Sequence, residues 1–293
     1  MKLSALMTAV LLAAAATGAQ AADTLAKIAE SGKITLAYRE SSVPFSYLDG
    51  GKPIGFSVEL SNAVVDAVKK KLNKPNLEVA LMPVTSANRI PLIQNGTVDL
   101  ECGSTTNNTA RGKDVAFAIN HFYTGTRLLV KKTSHIKNYA DLAKKPVAST
   151  TGTTNALVMR KYNAEKNLDM DIVLAKDHAD AFLLVETDRA VAFAMDDILL
   201  FGLIANAKNP SDFEVVGDSL QVEPYGCMLP KDDPAFKKVV DDTIIDLMKS
   251  GRFEKMYDKW FMQPIPPRGT ALGLPMSPQL RDNIKAPSDK PAT

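Results

Sequence analysis

The chain has 293 residues, with 35 lysines and arginines against 33 aspartates and glutamates, a formal net charge of only +2. So balanced a surface argues against a nucleic-acid partner, which would need a basic face with interleaved aromatics. The length allows one large or two medium cores, and two suits it better.

The first 21 residues read as a removable export leader. Met1-Lys2 is a short basic start, Ala5 to Ala16 is apolar but short for a bilayer span, and Ala19-Gln20-Ala21 fits a signal-peptidase site. The mature chain then begins at Ala22 or Asp23. Loss of Lys2 lowers the formal charge by one, from +2 to +1. Nothing later is long and apolar enough to span a membrane, so an exported, soluble product is expected. Cys102 and Cys227 are the only cysteines and form no CxxC pair. In an oxidising compartment they can form a disulfide or remain buried thiols, and the residues alone leave both readings open.

Thr24 to Ser31 is predicted as a short amphipathic helix stopped by Gly32, and Ile34, Leu36 and Tyr38 alternate as a first strand ending at Arg39. After a turn at Asp49-Gly50-Gly51 comes a helix with Phe56, Leu60, Val64, Ala67 or Val68, and Leu72 on its apolar face. Its charges, Glu59 early and Lys69-Lys70-Lys71 late, match the helix dipole. Leu77 to Met82 is the second strand. Thr85 or Ser86 should cap a short helix carrying Arg89, which Asn95-Gly96 ends. Val98, Leu100 and Cys102 then alternate as a third strand leading into the hydroxyl-rich stretch Ser104-Thr105-Thr106, which Arg111 closes. Hydroxyls just past a strand end, followed by a guanidinium, suit a small carboxylate; on this stretch alone an ordinary polar loop explains them as well.

Thr126 to Lys131 is an extended run leaving this unit, and the βα rhythm then begins again. A helix around Tyr139 to Leu142 precedes strands at Val147 to Ser149, Ile172 to Leu174 and Ala190 to Met195, which put Thr154, His178 and Asp196 on the loops that follow. Thr154 and Asp196 could equally be helix caps. Beyond extended segments at 213–216, 221–223 and 226–229, Asp233-Pro234 starts a helix burying Phe236, Val239, Val240, Ile244 and Leu247. Phe253 to Trp260 is a last strong helix, a short one follows near Ser277 to Ile284, and Ala286 to Thr293 reads as a loose tail. His121 and His135 have no ligand spacing and read as surface residues. Phe45 and Tyr47 could wall a pocket or pack in a core.

These pieces together resemble the type II periplasmic solute-binding proteins of amino-acid ABC transporters (solute-binding protein family 3), and within them the glutamate/aspartate-binding proteins. The resemblance rests on RESSVPFSY at Arg39 to Tyr47, TSANRIPLIQNGT at Thr85 to Thr97 and ECGSTTNNTAR at Glu101 to Arg111. It continues through TTGTT at Thr150 to Thr154, AKDHAD at Ala175 to Asp180, MDD at Met195 to Asp197 and YGCMLPKDDPAFKK at Tyr225 to Lys238. It covers nearly the whole mature chain.

The resemblance implies an α/β fold of two lobes, each an open, mainly parallel sheet flanked by helices, joined by two crossover strands. Lobe one takes residues 22–124 and 224–293, and lobe two residues 125–223. It also implies that Cys227 lies beside Cys102, as a disulfide. By the same resemblance, Arg111, Ser104, Thr106 and Thr154 hold the carboxylate of an amino acid and Asp196 its ammonium. Arg39, Ser86, Arg89 and His178 then surround the side-chain carboxylate of L-glutamate or L-aspartate. The implied product is a monomeric periplasmic protein with no cofactor or metal, which hands its ligand to an inner-membrane ABC permease with its ATPase. A ligand-sensing module for a receptor, or a dehydratase-like enzyme on the same fold, are the alternatives; no Ser/His/Asp set, HExxH or phosphate-binding loop supports catalysis.

Overall fold

The computed structural model describes residues 23–292, so the leader at 1–21 lies outside the described residues. Asp23 opens the fold as a cap: its Oδ1 accepts from the Ala26 N–H at 2.8 Å, starting the helix Thr24–Ser31. Gly32, at φ +67°, ends that helix in the left-handed conformation that glycine adopts without a Cβ penalty. The chain then enters the first of two five-stranded sheets.

In spatial order, the first sheet runs Glu78–Pro83, Lys33–Tyr38, Leu100–Glu101, Met228–Leu229 and Ala116–Phe117. The first three are parallel, and Met228–Leu229 is antiparallel to both its neighbours. The second sheet repeats this plan as Asp171–Ala175, Pro146–Thr150, Ala192–Asp196, Thr126–Lys131 and Phe213–Val216, with three parallel strands followed by antiparallel ones. Each parallel pair is connected through a helix on the sheet's face, so loops leaving the carboxyl ends of the strands collect at one edge of each sheet. Between the sheets, Phe122–Thr124 and Glu223–Tyr225 run antiparallel as the two crossovers. No helix among the described residues is long and apolar enough to cross a membrane.

Helix Phe56–Leu72 buries Phe56, Leu60, Val64 and Val68, the four-residue spacing that keeps side chains on one face. Helix Pro234–Lys249 is capped by Asp233 and buries Phe236, Val239, Val240, Ile244 and Leu247. Cys102 and Cys227 are disulfide-bonded, with Cα atoms 4.2 Å apart, next to the point where Glu101 pairs with Met228.

Several expectations need correction. The Asp49-Gly50-Gly51 turn does not lead directly into a helix: it joins strands Ser46–Asp49 and Lys52–Ile54 in a hairpin, with both glycines at positive φ. Thr85 caps the turn before Arg89, as expected: its Oγ1 accepts from the Asn88 N–H and Asn88 Oδ1 accepts from the Thr85 N–H, with regular helix from Arg89 onward. The last strong helix is α-helical only over Arg252–Tyr257 and widens into a π turn at Asp258–Met262. That turn packs Phe261 against Phe122, Tyr257 and Phe45.

His121 is not on the surface. It is fully buried beneath Phe56 and Tyr225, with Nε2 3.3 Å from the Gly103 carbonyl oxygen. Phe45 and Tyr47 belong to the core rather than to a pocket wall, Tyr47 donating its hydroxyl to the Pro266 carbonyl at 2.8 Å. Nor is the tail loose. Residues 288–292 are tied to Asn107, Thr109 and Asn120 by backbone and side-chain amides, and Lys237 pairs with Asp289. The tail therefore braces the loop that leads to Arg111.

Candidate functional site

Loops from the carboxyl ends of six strands meet where the sheet edges face each other. Arg39 follows Lys33–Tyr38, Ser86 and Arg89 follow Glu78–Pro83, and Ser104, Thr106 and Arg111 follow Leu100–Glu101. From the second sheet, Thr154 opens the helix after Pro146–Thr150, His178 opens the helix after Asp171–Ala175, and Asp196 ends its own strand. They close round a cavity of only about 10 Å³, far below the ~300–1,000 Å³ of sites for drug-sized ligands. Ser86, Arg89, Ser104, Thr106, Thr154, His178 and Asp196 line it, with Thr153, Asn155, Met195 and Leu199. Arg39 stands behind His178, and Arg111 at the opposite side spans the cleft. A larger depression, of about 570 Å³, opens between Leu157, Val222 and the tail, and reaches Thr106, Thr154 and Glu223.

The cleft is shut. Arg39 Nη2 donates to Asp177 Oδ1 at 2.7 Å, from a guanidinium with no exposed surface, and Ser41 Oγ donates to Asp177 Oδ2 at 2.7 Å. Arg111 joins the lobes through two backbone carbonyls, Nη1 to Thr106 O at 2.9 Å and Nη2 to Gly152 O at 3.2 Å. Gly152 lies so close to the facing lobe that a Cβ there would sit 2.6 Å from the Ala87 Cα. A side chain at this position would hold the lobes apart.

Each arginine carries its own compensation. Arg89 Nη1 donates to Thr105 Oγ1 at 2.5 Å and to Ser104 O at 3.2 Å, and Thr105 in turn donates to Glu101 Oε2 at 2.8 Å. Burial, reinforced by Arg111, lowers the Arg89 pKa to about 9, while Glu101 opposes the shift. What remains uncommitted is a set of buried polar atoms with no hydrogen-bond partner in the protein: Nε and Nη1 of Arg39, Nε of Arg89 and Oγ of Ser86. Buried guanidinium N–H groups left unpaired are costly, so Arg89 on the cavity lining and Arg39 behind it can each gain from an acceptor, as Glu101 Oε1, also unpartnered, can from a donor.

His178 contributes no charge. Its Nε2 lies 3.2 Å from Arg39 Nη2, which can only donate, so Nε2 accepts and Nδ1 holds the proton that it donates to Thr150 Oγ1 at 2.9 Å. Burial first, then the Arg39 charge, lowers its pKa to about 3. The cationic set implied by the resemblance is thus two arginines with a neutral histidine between Arg39 and Thr150. At the other end, Asp196 accepts from Asn155 Nδ2 at 2.7 Å and from the Tyr225 hydroxyl at 2.5 Å. Burial and the nearby Glu223 nonetheless raise its pKa well above the usual carboxylate value, so a cation placed beside it would be strongly favoured. Asp196 does not cap the next helix, and Thr153 rather than Thr154 caps its own.

Residue-by-residue reading of the chain assigned no role to Asp177, Asn155, Tyr225, Glu101 or Glu223. The first four support side chains already proposed: Asp177 and Asn155 adjoin His178 and Thr154 in sequence, whereas Tyr225 reaches Asp196 across 29 positions. Glu223 came from a segment read merely as extended.

Burial also lowers the His121 pKa, to about 4. Between pH 6.5, the ordinary histidine value, and these depressed values the unfolded chain binds more protons than the folded one. The stability tied to both imidazoles is therefore complete above about pH 6.5 and falls as pH drops, by roughly 2 kcal/mol for each at pH 5. Melting temperatures at pH 7.5 and 5 should show that fall, and His121→Phe should remove about half of it. A variant with the full fall would show that His121 is not held neutral.

The sequence comparisons agree with this architecture. The family described as bacterial extracellular solute-binding proteins, family 3, matches residues 34–263. An L-glutamate/L-aspartate-binding protein of Pseudomonas aeruginosa is 52% identical over 99% of this chain and 97% of its own length. A glutamate/aspartate import solute-binding protein of Escherichia coli (strain K12) is 53% identical over 92% of this chain and 90% of its own. Among solved structures, a mutant of ArgBP from T. maritima superposes with a TM-score of 0.73 at 26% identity, covering 82% of this chain and 99% of that one. An ancestral amino-acid-binding protein, a precursor of cyclohexadienyl dehydratase, gives 0.68 at 29% identity over 81% and 99%. With two sheets of one plan, two crossovers and a closed polar cleft, the chain belongs to family 3 of the bacterial extracellular solute-binding proteins.

Proposed function

We propose that this protein captures L-glutamate or L-aspartate between its closing lobes in the periplasm, after loss of the leader at 1–21, and presents it as a monomer to an ABC permease and its ATPase. The lobes divide at residues 124–125 and 223–224, within the paired crossovers. It is read as a binding protein, not an enzyme, because its buried polar groups serve to neutralise and hydrogen-bond a ligand rather than to move a proton. The relatives named above, at 52% and 53% identity, support both the ligand class and the import role.

One observation carries the acidic preference: Arg39, Arg89 and Ser86 hold buried donors with no hydrogen-bond partner in the protein, Arg89 and Ser86 on the cavity lining and Arg39 behind His178. A side-chain carboxylate offers that end four acceptor lone pairs, whereas an amide presents an NH₂ group to donors that cannot accept. In this reading Arg111, Ser104, Thr106 and Thr154 hold the α-carboxylate and Asp196 the ammonium. His178 lines the side-chain subsite, with Arg39 behind it and donating to its ring.

Calorimetric titration of the mature chain, unfolded and refolded to strip carried-over ligand, tests this. Both acids should bind, and L-glutamine about a hundredfold or more weaker, because charge-assisted hydrogen bonds of ~1.5–3 kcal/mol each are lost and their donors stay buried. Glutamine binding as tightly as glutamate would overturn the side-chain subsite, and no binding of either acid would overturn the ligand class.

A further inference from the structure

Glu223 is a buried carboxylate that the reading above does not use. It sits on the second crossover, opposite Thr124 of the first, and is 1% exposed. Its Oε2 accepts hydrogen bonds from two hydroxyls that belong to different lobes: Thr106 Oγ1, on the first-sheet loop, and Thr154 Oγ1, 2.6 Å away at the start of the second-sheet helix. Those two hydroxyl oxygens are 3.4 Å apart. The other oxygen, Oε1, accepts from the Gln221 side chain and from Thr126 Oγ1 at 3.4 Å. Thr126 in turn accepts from Asn155 Nδ2, which also donates to Asp196. One hinge side chain thus gathers donors from both lobes.

We propose that Glu223 is the latch of the cleft, a positioning residue whose single oxygen ties Thr106 to Thr154 only when the lobes are closed. Separation of the lobes carries Thr106 and Thr154 apart, so Glu223 can then keep at most one of them. The pair of bonds therefore adds its free energy to the closed form alone, and biases the equilibrium that a ligand completes.

The latch also settles what the two threonines offer a ligand. A hydroxyl has one proton, and both protons are directed at Glu223. Neither the Thr106 nor the Thr154 backbone N–H has a backbone partner among the described residues. It is these N–H groups, with Arg111, that are free to meet a carboxylate, while the hydroxyls hold them in place. This deepens the binding reading above and rests on it for the identity of the ligand, though not for the latch itself.

The test compares the unmodified mature chain with Glu223→Ala, Glu223→Gln, Thr154→Val and the double variant Glu223→Ala/Thr154→Val. L-glutamate affinity is read by calorimetry. The distance between spin labels, one on the outer face of each lobe, is read in refolded, ligand-free protein. Expected are an affinity about tenfold or more lower in Glu223→Ala and in Thr154→Val, with the distance distribution shifted to the open form, and partial recovery in Glu223→Gln, which keeps one acceptor. The double variant should be no weaker than Glu223→Ala, because both changes break the same bond.

Losses that multiply in the double variant, or a lower melting temperature with unchanged affinity and lobe distance, would overturn the latch. Should Glu223→Ala not fold, Thr154→Val decides alone, since it removes one hydroxyl donor at constant shape. If the unmodified chain ignores glutamate, the ligand assignment fails; the ligand-free distances still decide the latch.

Discussion

Arg111→Ala is expected to remove binding of glutamate, aspartate and glutamine alike, each by several hundredfold or more. Arg111 spans the cleft, donating to Thr106 O of its own lobe and to Gly152 O of the other. Burial lowers its pKa, while Glu223, Asp196 and Glu101 act to keep it charged. Alanine would leave two carbonyls of the closed cleft without donors and an α-carboxylate without its cation. Removing one partner of a buried ion pair costs about 3–5 kcal/mol, where each 1.4 kcal/mol is tenfold in affinity.

Arg89→Ala is the control. Its guanidinium is joined to Glu101 through Thr105 and lies at the other end of the cavity, so its loss should chiefly weaken the acidic ligands. Calorimetry on both variants with the three amino acids checks the contrast. Equal loss of every ligand in both would abolish the division into backbone and side-chain subsites.

The second large effect concerns folding. The Cys102–Cys227 bond closes a loop of 125 residues, for which chain entropy predicts a stabilisation of about 4–5 kcal/mol, close to the upper end of what a disulfide supplies. Both cysteines are buried in the first lobe, one on each side of the insertion that forms the second lobe. Replacing both by alanine should lower the melting temperature by roughly 10 °C or more while leaving the order of ligand preference unchanged. A melting temperature within a degree or two of the unmodified chain would show that the sheet holds its return strand without the bond.

Much of the architecture was legible locally. Four-residue apolar spacing, Asp233-Pro234 as a start and Gly32 as a stop are interactions within a few residues, and such spacings report directly on helices. Strand ends followed by polar loops located the site residues, because an open α/β sheet collects those loops at one edge. Local spacing was silent where a neighbour is distant in sequence. His121 lies in a short segment with no period of its own, and helix Phe56–Leu72 and Tyr225 cover it. The tail carries a disordered-looking composition, yet its backbone carbonyls accept from the Asn107 and Asn120 side-chain amides across more than 160 positions.

By itself, then, the order of residues determined most of the helices and strands and the repeated βα plan, since each depends on neighbours a few positions away, while the binding side chains were implied by the family resemblance. The tertiary structure alone decided the state of those side chains. Arg39 meets Asp177 across 138 positions and Thr106 meets Glu223 across 117. His178 is neutral because it is buried and because the Arg39 charge of the other lobe stands beside its ring. Charge, protonation and donor direction in a buried site are set by whatever lies within a few ångströms, and in this fold that is the opposite lobe.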